Sequence, residues 1–440
     1  MMLSHVLPEI FRIIYQLYRI ARYTSRMSTI CLLGRQPAIG RAELEALYGA
    51  TAVTPIGAQA ALVDATLDFA RLGGTVKAAI HLTTLETVDP QKVFEYCRRA
   101  LPEHIAYIPD GKIKLGVSLY GFDMPVAKIN ANTLTLKKVI KKTGRSVRAV
   151  PNTDAALSSA QTYHNGLVSP VGLELVFVRH GDSTLLGQVT HVQDIDSYTL
   201  RDRGRPKRDA FVGMLPPKLA QIIINLAIGR WPIEDSEIAN SHIPHANSHV
   251  ILDPFCGTGV VLQEAALMGY DVYGTDISPK MIDYSRANLD WLMDNRHLRL
   301  DDRKKRIILQ TGDAIDFHWD FSALRTLPSA LSIATETYLG QPLGGQHPTP
   351  EKLAEIMHDC NTVLRGFLRN IAPQLTAETH LCLAIPAWFV DDTLHRLKVL
   401  DDLEDMGYNR IDFEYAARTD LIYRRDDQIV GRELLVLIKQ

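Results

Sequence analysis

The chain has 440 residues, 46% hydrophobic and 22% charged, with a formal net charge of −2. That length is a prior for two or three domains with a large buried core. The near-neutral balance excludes a global positive field for nucleic acid, and five scattered cysteines without a CxxC pair exclude a disulfide framework and fit a reducing cytoplasm.

Residues 1–27 read as an N-terminal extension. Glu9, Arg12 and Arg19 interrupt it well before the roughly 18 apolar residues that a membrane span needs. It also lacks the ordered charged start, apolar stretch and cleavage site of a secretory signal. From 28 to 192 strand-like and helical runs alternate in a mixed α+β half. Strands are expected at 29–33 and 113–120, helices at 39–48, 93–99 and 132–142, and a strand pair at 173–179 and 184–192 around the turn-rich 180–183.

Between 193 and 230 the composition shifts to charge and proline, which marks an interdomain linker, with a helix at 219–228. The stretch 231–248 reads as a polar surface loop. His242, His245 and His249 have no acidic or cysteine partners at regular spacing, so no metal is expected. Beyond His249 the pattern becomes α/β, with strands at 250–253, 271–276, 306–310, 330–335 and 380–385 and helices at 260–268, 279–294, 350–369 and 393–405. Two last strand-like runs, 411–423 and 429–439, predict an antiparallel hairpin on an otherwise parallel sheet.

The run Asp253-Pro254-Phe255-Cys256-Gly257-Thr258-Gly259 sits where a buried strand turns into a helix. Glycines let a ligand approach the backbone, and the helix start offers free N–H groups to a carboxylate. Asp276, followed by Ile277, ends the next strand about twenty residues on, where a carboxylate can accept both ribose hydroxyls. Asp313, followed by Ala314, is placed for an adenine amine. Three acidic strand ends around this turn, which is not GxGxxG, point to a class I, Rossmann-like methyltransferase domain at 231–440 that takes S-adenosyl-L-methionine. Cys256 reads as packing, since its neighbour would be the methionine moiety rather than a base.

At this point the sequence resembles the THUMP-domain methyltransferases that modify the exocyclic N2 of guanosine at position 10 of tRNA. The matching residues are the opening run from Leu33 to Glu45, the linker pair Arg205-Pro206 with Leu215-Pro216-Pro217-Lys218-Leu219-Ala220, and the Asp253 to Gly259 turn. The resemblance implies a ferredoxin-like portion and a THUMP RNA-binding region within 28–192, and a linker in which Leu215 and Pro216 cover the cofactor. It also implies tRNA as partner. Lys137, Lys138, Lys141, Lys142, Arg145 and Arg148, with Arg205 and Lys207 of the linker, concentrate enough positive charge for several phosphate contacts.

The family's acceptor tetrad, Asp-Pro-Pro-Tyr or Asn-Pro-Pro-Tyr, is altered here to a segment containing Glu336 and Tyr338. Glu336 can supply the oxygen that accepts an amine hydrogen and Tyr338 a face for stacking the base. Two other functions stay open at this point: methylation of an amine on DNA, protein or a small molecule, and non-catalytic RNA binding by a residual methyltransferase fold.

Overall fold

The computed structural model describes residues 28–209, 215–229, 249–294, 306–324, 331–343, 348–391, 393–425 and 428–440. The expected extension 1–27, His242 and His245 lie outside them. In chain order the first elements are β1 (Thr29–Leu33), α1 (Pro37–Tyr48), β2 (Val53–Ile56), β3 (Ala60–Val63), β4 (Thr75–Leu85), α2 (Pro90–His104), β5 (Ile113–Tyr120), α3 (Val126–Lys142), β6 (Val147–Ala149), α4 (Ser159–His164), β7 (Gly172–His180) and β8 (Ser183–Val192). Then follow α5 (Ile195–Arg203), α6 (Pro217–Ala227), β9 (Val250–Asp253), α7 (Val260–Leu267), β10 (Asp271–Asp276), α8 (Pro279–Asp294), β11 (Ile307–Thr311), β12 (Leu331–Glu336), α9 (Pro350–Ile371), β13 (His380–Val390), β14 (Thr393–His395), β15 (Tyr408–Arg410), β16 (Ile422–Tyr423) and β17 (Val430–Lys439).

Two compact units emerge, and they do not follow chain order. One comprises residues 28–33, 51–69 and 75–193; the other comprises 34–50, 70–74 and 194–440. The first is built on a sheet of order β2-β3-β1-β4-β8-β7-β5-β6, in which β5 runs parallel to β6 and β7. Its centre holds a buried ion pair, Lys77 Nζ to Glu174 Oε1 at 2.6 Å, and the Ser118 and Thr162 hydroxyls also donate to that carboxylate. A charge pair so deep is tolerable because further hydrogen bonds support both partners, Lys77 Nζ also donating to Leu157 O at 2.6 Å.

In the second unit the sheet order is β11-β10-β9-β12-β13-β17-β15. Strands β9 to β13 run parallel, and β17 inserts antiparallel between β13 and β15. This is the expected doubly wound sheet with an antiparallel end. Strand β9 is buried at all four positions, as a central parallel strand covered on both faces should be. Helix α9 starts at the Thr349 cap, which accepts from Lys352 N, and buries Leu353, Ile356, Cys360, Leu364, Phe367, Leu368 and Ile371 at helical spacing.

Helix α1 comes from the expected N-terminal half but belongs to the second unit. Its Ile39, Ala42 and Ala46 pack with Leu219, Ile222 and Ile223 of α6. Its fully buried Glu43 accepts from Gly73 N at 2.9 Å, Gly74 N at 2.8 Å and Asn225 Nδ2 at 2.7 Å. Glu45 accepts from the backbone N–H groups of Glu414 and Tyr415 at 2.7 and 3.1 Å.

Two expected elements near the C-terminus take other forms. The helix at 393–405 is replaced by β14, which folds back on β13, and by short 3-10 turns at Lys398–Asp402 and Glu404–Met406. Asp391, with φ of 49°, reverses the chain, and Leu397 and Val399, only two positions apart, both enter the core, which no single face of an α-helix allows. The strand at 411–423 breaks because Glu414 and Tyr415 give their N–H groups to Glu45 rather than to a neighbouring strand; only β16 pairs there. Among the described residues no helix is long and apolar enough to cross a membrane.

Candidate active site

Strand order brings the C-terminal ends of β11, β10, β9 and β12 side by side, and each end carries or leads to one of the carboxylates read from the sequence. Asp253 ends β9, Asp276 ends β10, Asp313 follows β11 and Glu336 ends β12. This edge is where ligands sit in doubly wound sheets.

The turn after β9 is fixed by its neighbours. Asp276 Oδ2 accepts from Gly257 N and Oδ1 from Ser278 N, both at 2.9 Å. Ser285 Oγ donates to Gly257 O at 2.8 Å, and Cys256 N to Thr275 O at 2.9 Å. Gly259 has φ of 81°, and a Cβ there would lie 2.8 Å from Ser285 Oγ, so this position needs glycine on two counts. It leads into α7 with no side-chain cap. Cys256 is buried with Sγ 3.7 Å from Ser285 Oγ, and burial pushes its thiol well up, as fits a packing role.

Asp253 is 2% exposed and accepts from Thr335 Oγ1 at 2.5 Å and Phe255 N at 3.2 Å. Burial first, then the nearby Asp276 and Glu336 charges, push its carboxyl up to about 7 against the hydrogen bonds that favour the anion. So acidic a strand edge suits a cationic ligand, such as a sulfonium with an ammonium group, and repels a pyrophosphate. The sign for stability follows: a carboxyl raised in the folded state contributes stability present below its unfolded value near pH 4 and lost as pH rises through about 7. Urea unfolding at pH 5 and pH 8 should therefore show the stability advantage of Asp253→Asn growing with pH by roughly 2–4 kcal/mol. A parallel pH dependence in both proteins would contradict the raised carboxyl.

The other expected contacts fall into place unevenly. Pro254 is buried, and its carbonyl accepts from Thr275 Oγ1 at 3.3 Å. Phe255 stands edge-on to Phe367, with ring centroids 5.3 Å apart, and Trp319 joins the same cluster and donates to Thr275 Oγ1. Ile277 is 67% exposed beside Asp276. Asp313 accepts from Ile315 N at 3.2 Å, Ala314 is buried, and Ile315 is 43% exposed. Apolar side chains left open next to Asp276 and Asp313 are what a flat purine ring would cover. Leu215 is buried in the core around α6, and Pro216 precedes that helix.

Glu336 is ion-paired with Arg432 of β17, an arginine the sequence did not single out. Tyr338 is 38% exposed, free to present its ring. Asn288 is a second residue missed. It donates to Thr258 O at 2.8 Å and clasps the linker backbone at Lys207 through N and O, both at 2.9 Å.

The basic residues separate into two groups. Lys138, Lys141, Lys142 and Arg148 are exposed and Lys137 half-buried, at the end of α3 and on β6. Lys207 is exposed, with Nζ 5.4 Å from the Tyr284 ring centroid. Arg145 is instead committed to backbone carbonyls, donating to Ile108 O at 3.0 Å and Pro109 O at 2.5 Å. Arg205 is only 3% exposed, so neither of these two is poised for phosphate in the way the sequence implied. His249 holds Ser332 Oγ at 2.9 Å, and burial pushes its pKa down to about 4, leaving a neutral core imidazole.

Residues 245–301 match the family described as RMKL-like, methyltransferase domain, a stretch that spans β9, the glycine turn and α8. A tRNA (guanine(10)-N2)-dimethyltransferase of Methanothermobacter thermautotrophicus is 35% identical over 118 residues, which are 24% of this chain and 30% of that protein. The enzyme of the same name from Pyrococcus abyssi is 36% identical over 77 residues, 18% of each chain. The matched stretches thus span less than a third of these relatives. The crystal structure of TrmN from Thermus thermophilus is 16% identical, covering 94% of this chain and 100% of that one, with a TM-score of 0.48. The family match and the two tRNA (guanine(10)-N2)-dimethyltransferases agree with the resemblance carried by the Asp253 to Gly259 turn.

Proposed function

We propose that this chain is an S-adenosyl-L-methionine-dependent methyltransferase acting on the exocyclic N2 of a tRNA guanosine, at position 10 by analogy with the relatives named above. The observation that carries it is the ring of carboxylates Asp253, Asp276, Asp313 and Glu336 on four neighbouring strand ends around a glycine turn. The donor, when bound, supplies a methyl already activated on a sulfonium, so the protein's task is placement and desolvation. Asp276 takes the ribose hydroxyls, Ile277 and Ile315 flank the adenine, and Asp313 and Ala314 meet its polar edge. Leu215 and Pro216 lie over the ligand. Glu336, oriented by Arg432, accepts a hydrogen of the amine and directs its lone pair at the methyl, while Tyr338 stacks on the base. The compartment is the cytoplasm.

In the same proposal the first unit, with its THUMP-like and ferredoxin-like regions, captures tRNA through Lys137, Lys138, Lys141, Lys142 and Arg148. Replacing the three exposed lysines 138, 141 and 142 with Ala should weaken tRNA binding roughly tenfold or more near 0.15 M salt and flatten the log–log salt slope by about 2. Fluorescence anisotropy across a salt series measures both; an unchanged slope would leave the cluster a solvated helix end.

The direct test incubates the protein with labelled donor and unmodified tRNA and locates the labelled nucleoside by mass spectrometry. Label on guanosine N2 is the expected result. Label on DNA or protein instead, or none anywhere, would overturn the proposal.

A further inference from the structure

Arg205 has an environment that its neighbours in the linker do not share. It is 3% exposed, yet Nε, Nη1 and Nη2 all lack a hydrogen-bond partner. Burial pushes its pKa down, with the charges of Asp202 and Glu264 pulling the other way. Glu264 gives its Oε1 to Arg201 Nε at 2.7 Å, and although its Oε2 has no hydrogen-bond partner it does not bond Arg205. A guanidinium keeps its charge and five donors in any protein interior, so one withdrawn from water and bonded to nothing is built for an anion that arrives later.

Its place in the chain says which anion. Arg201 ties the end of α5 to Glu264 in the second turn of α7, and Asn288 ties Lys207 to the Thr258 carbonyl in the glycine turn. Arg205 lies in the chain between these two anchors, one reaching the second turn of α7 and the other the glycine turn that opens it. That helix begins at Gly259 without a side-chain cap, which leaves its first N–H groups and positive dipole end open to a negative ligand. The opposite side of the turn carries Asp253 and Glu336. The site is thus polarised, basic along the linker and acidic along the strand ends, complementary to an amino-acid group whose ammonium and sulfonium face the carboxylates.

Building on the donor proposed above, we infer that the Arg205 guanidinium receives the carboxylate of its methionine end, closing the binding site from the linker side. A carboxylate matches the planar guanidinium with two parallel hydrogen bonds. Burial at 3% exposure favours a small free ligand over a polymer phosphate. The residue therefore moves from the tRNA-contacting set to the donor-binding set.

The test is calorimetric titration of the full chain with S-adenosylhomocysteine and with 5′-methylthioadenosine, which lacks the amino-acid end. Arg205→Gln should weaken the first roughly 10- to 100-fold and leave the second within about twofold. Arg205→Lys, kept as a milder variant should Gln prevent folding, should show the same selective loss at roughly 3- to 10-fold. Parallel weakening of both ligands, or no change in either, would overturn the inference while the proposal that the chain binds a methyl donor stands. An unaltered chain that binds neither ligand would instead sink the methyltransferase proposal itself.

Discussion

Asp276→Ala should cost the protein its methyl donor, weakening S-adenosyl-L-methionine binding by roughly 100- to 1,000-fold. The carboxylate does two jobs. It accepts the Gly257 and Ser278 N–H groups at 2.9 Å, which sets the shape of the turn. In the proposed complex it also accepts both ribose hydroxyls. Charge-assisted hydrogen bonds contribute about 1.5–3 kcal/mol each, so losing two ligand bonds and loosening the turn predicts about 3–4 kcal/mol. Asp276→Asn keeps one acceptor oxygen and should fall between. Calorimetry on both variants measures the effect, with urea unfolding to register any loss of stability. An Asp276→Ala protein that binds the donor within threefold of the unaltered chain would refute the assignment.

Glu336→Gln should cut methyl transfer at least about 100-fold while changing donor affinity less than about threefold. Gln keeps the length of the side chain and an oxygen for the Arg432 guanidinium, but it removes the anion that polarises the amine. Glu336→Ala is the harsher change. It leaves Arg432, whose side chain is 10% exposed, without its partner, and so also lowers stability. Comparing the two separates chemistry from architecture: a purely architectural Glu336 predicts that Gln transfers methyl nearly normally and Ala does not. Single-turnover transfer to tRNA, with melting temperatures for each variant, decides. Guanosine N2 label that survives Glu336→Gln undiminished would remove Glu336 from the acceptor site.

What the chain discloses on reading depends on how far apart interacting residues lie. The glycine turn was legible because Asp253, Gly257 and Gly259 act within seven positions, and Asp276 because a strand–helix–strand unit has a nearly fixed length. Strand β5 appeared at its observed limits since its alternation is local. Arg432 was hidden, because it meets Glu336 across 96 residues and sits in a strand that inserts between two others. The break at 411–423 was hidden for the same reason, its cause being Glu45, about 370 positions earlier. Arg205 was misread because a basic linker looks solvated in one dimension; only its burial shows otherwise.

The recruitment of α1 into the second unit has a bearing on how the molecule comes into being. During synthesis this helix leaves the ribosome well before α6, the glycine turn or β17 exist, so Glu43 meets its Asn225 partner, and Glu45 its Glu414 and Tyr415 partners, only after long further stretches of chain have been made. The strands from 75 to 193 belong instead to the sheet of the first unit, together with β1, β2 and β3. A proteolytic or engineered fragment beginning at 194 would therefore inherit the whole carboxylate ring yet lose the piece that satisfies Asn225 and the Glu414 and Tyr415 amides, and supplying residues 34–50 as a separate peptide is the natural way to mend it.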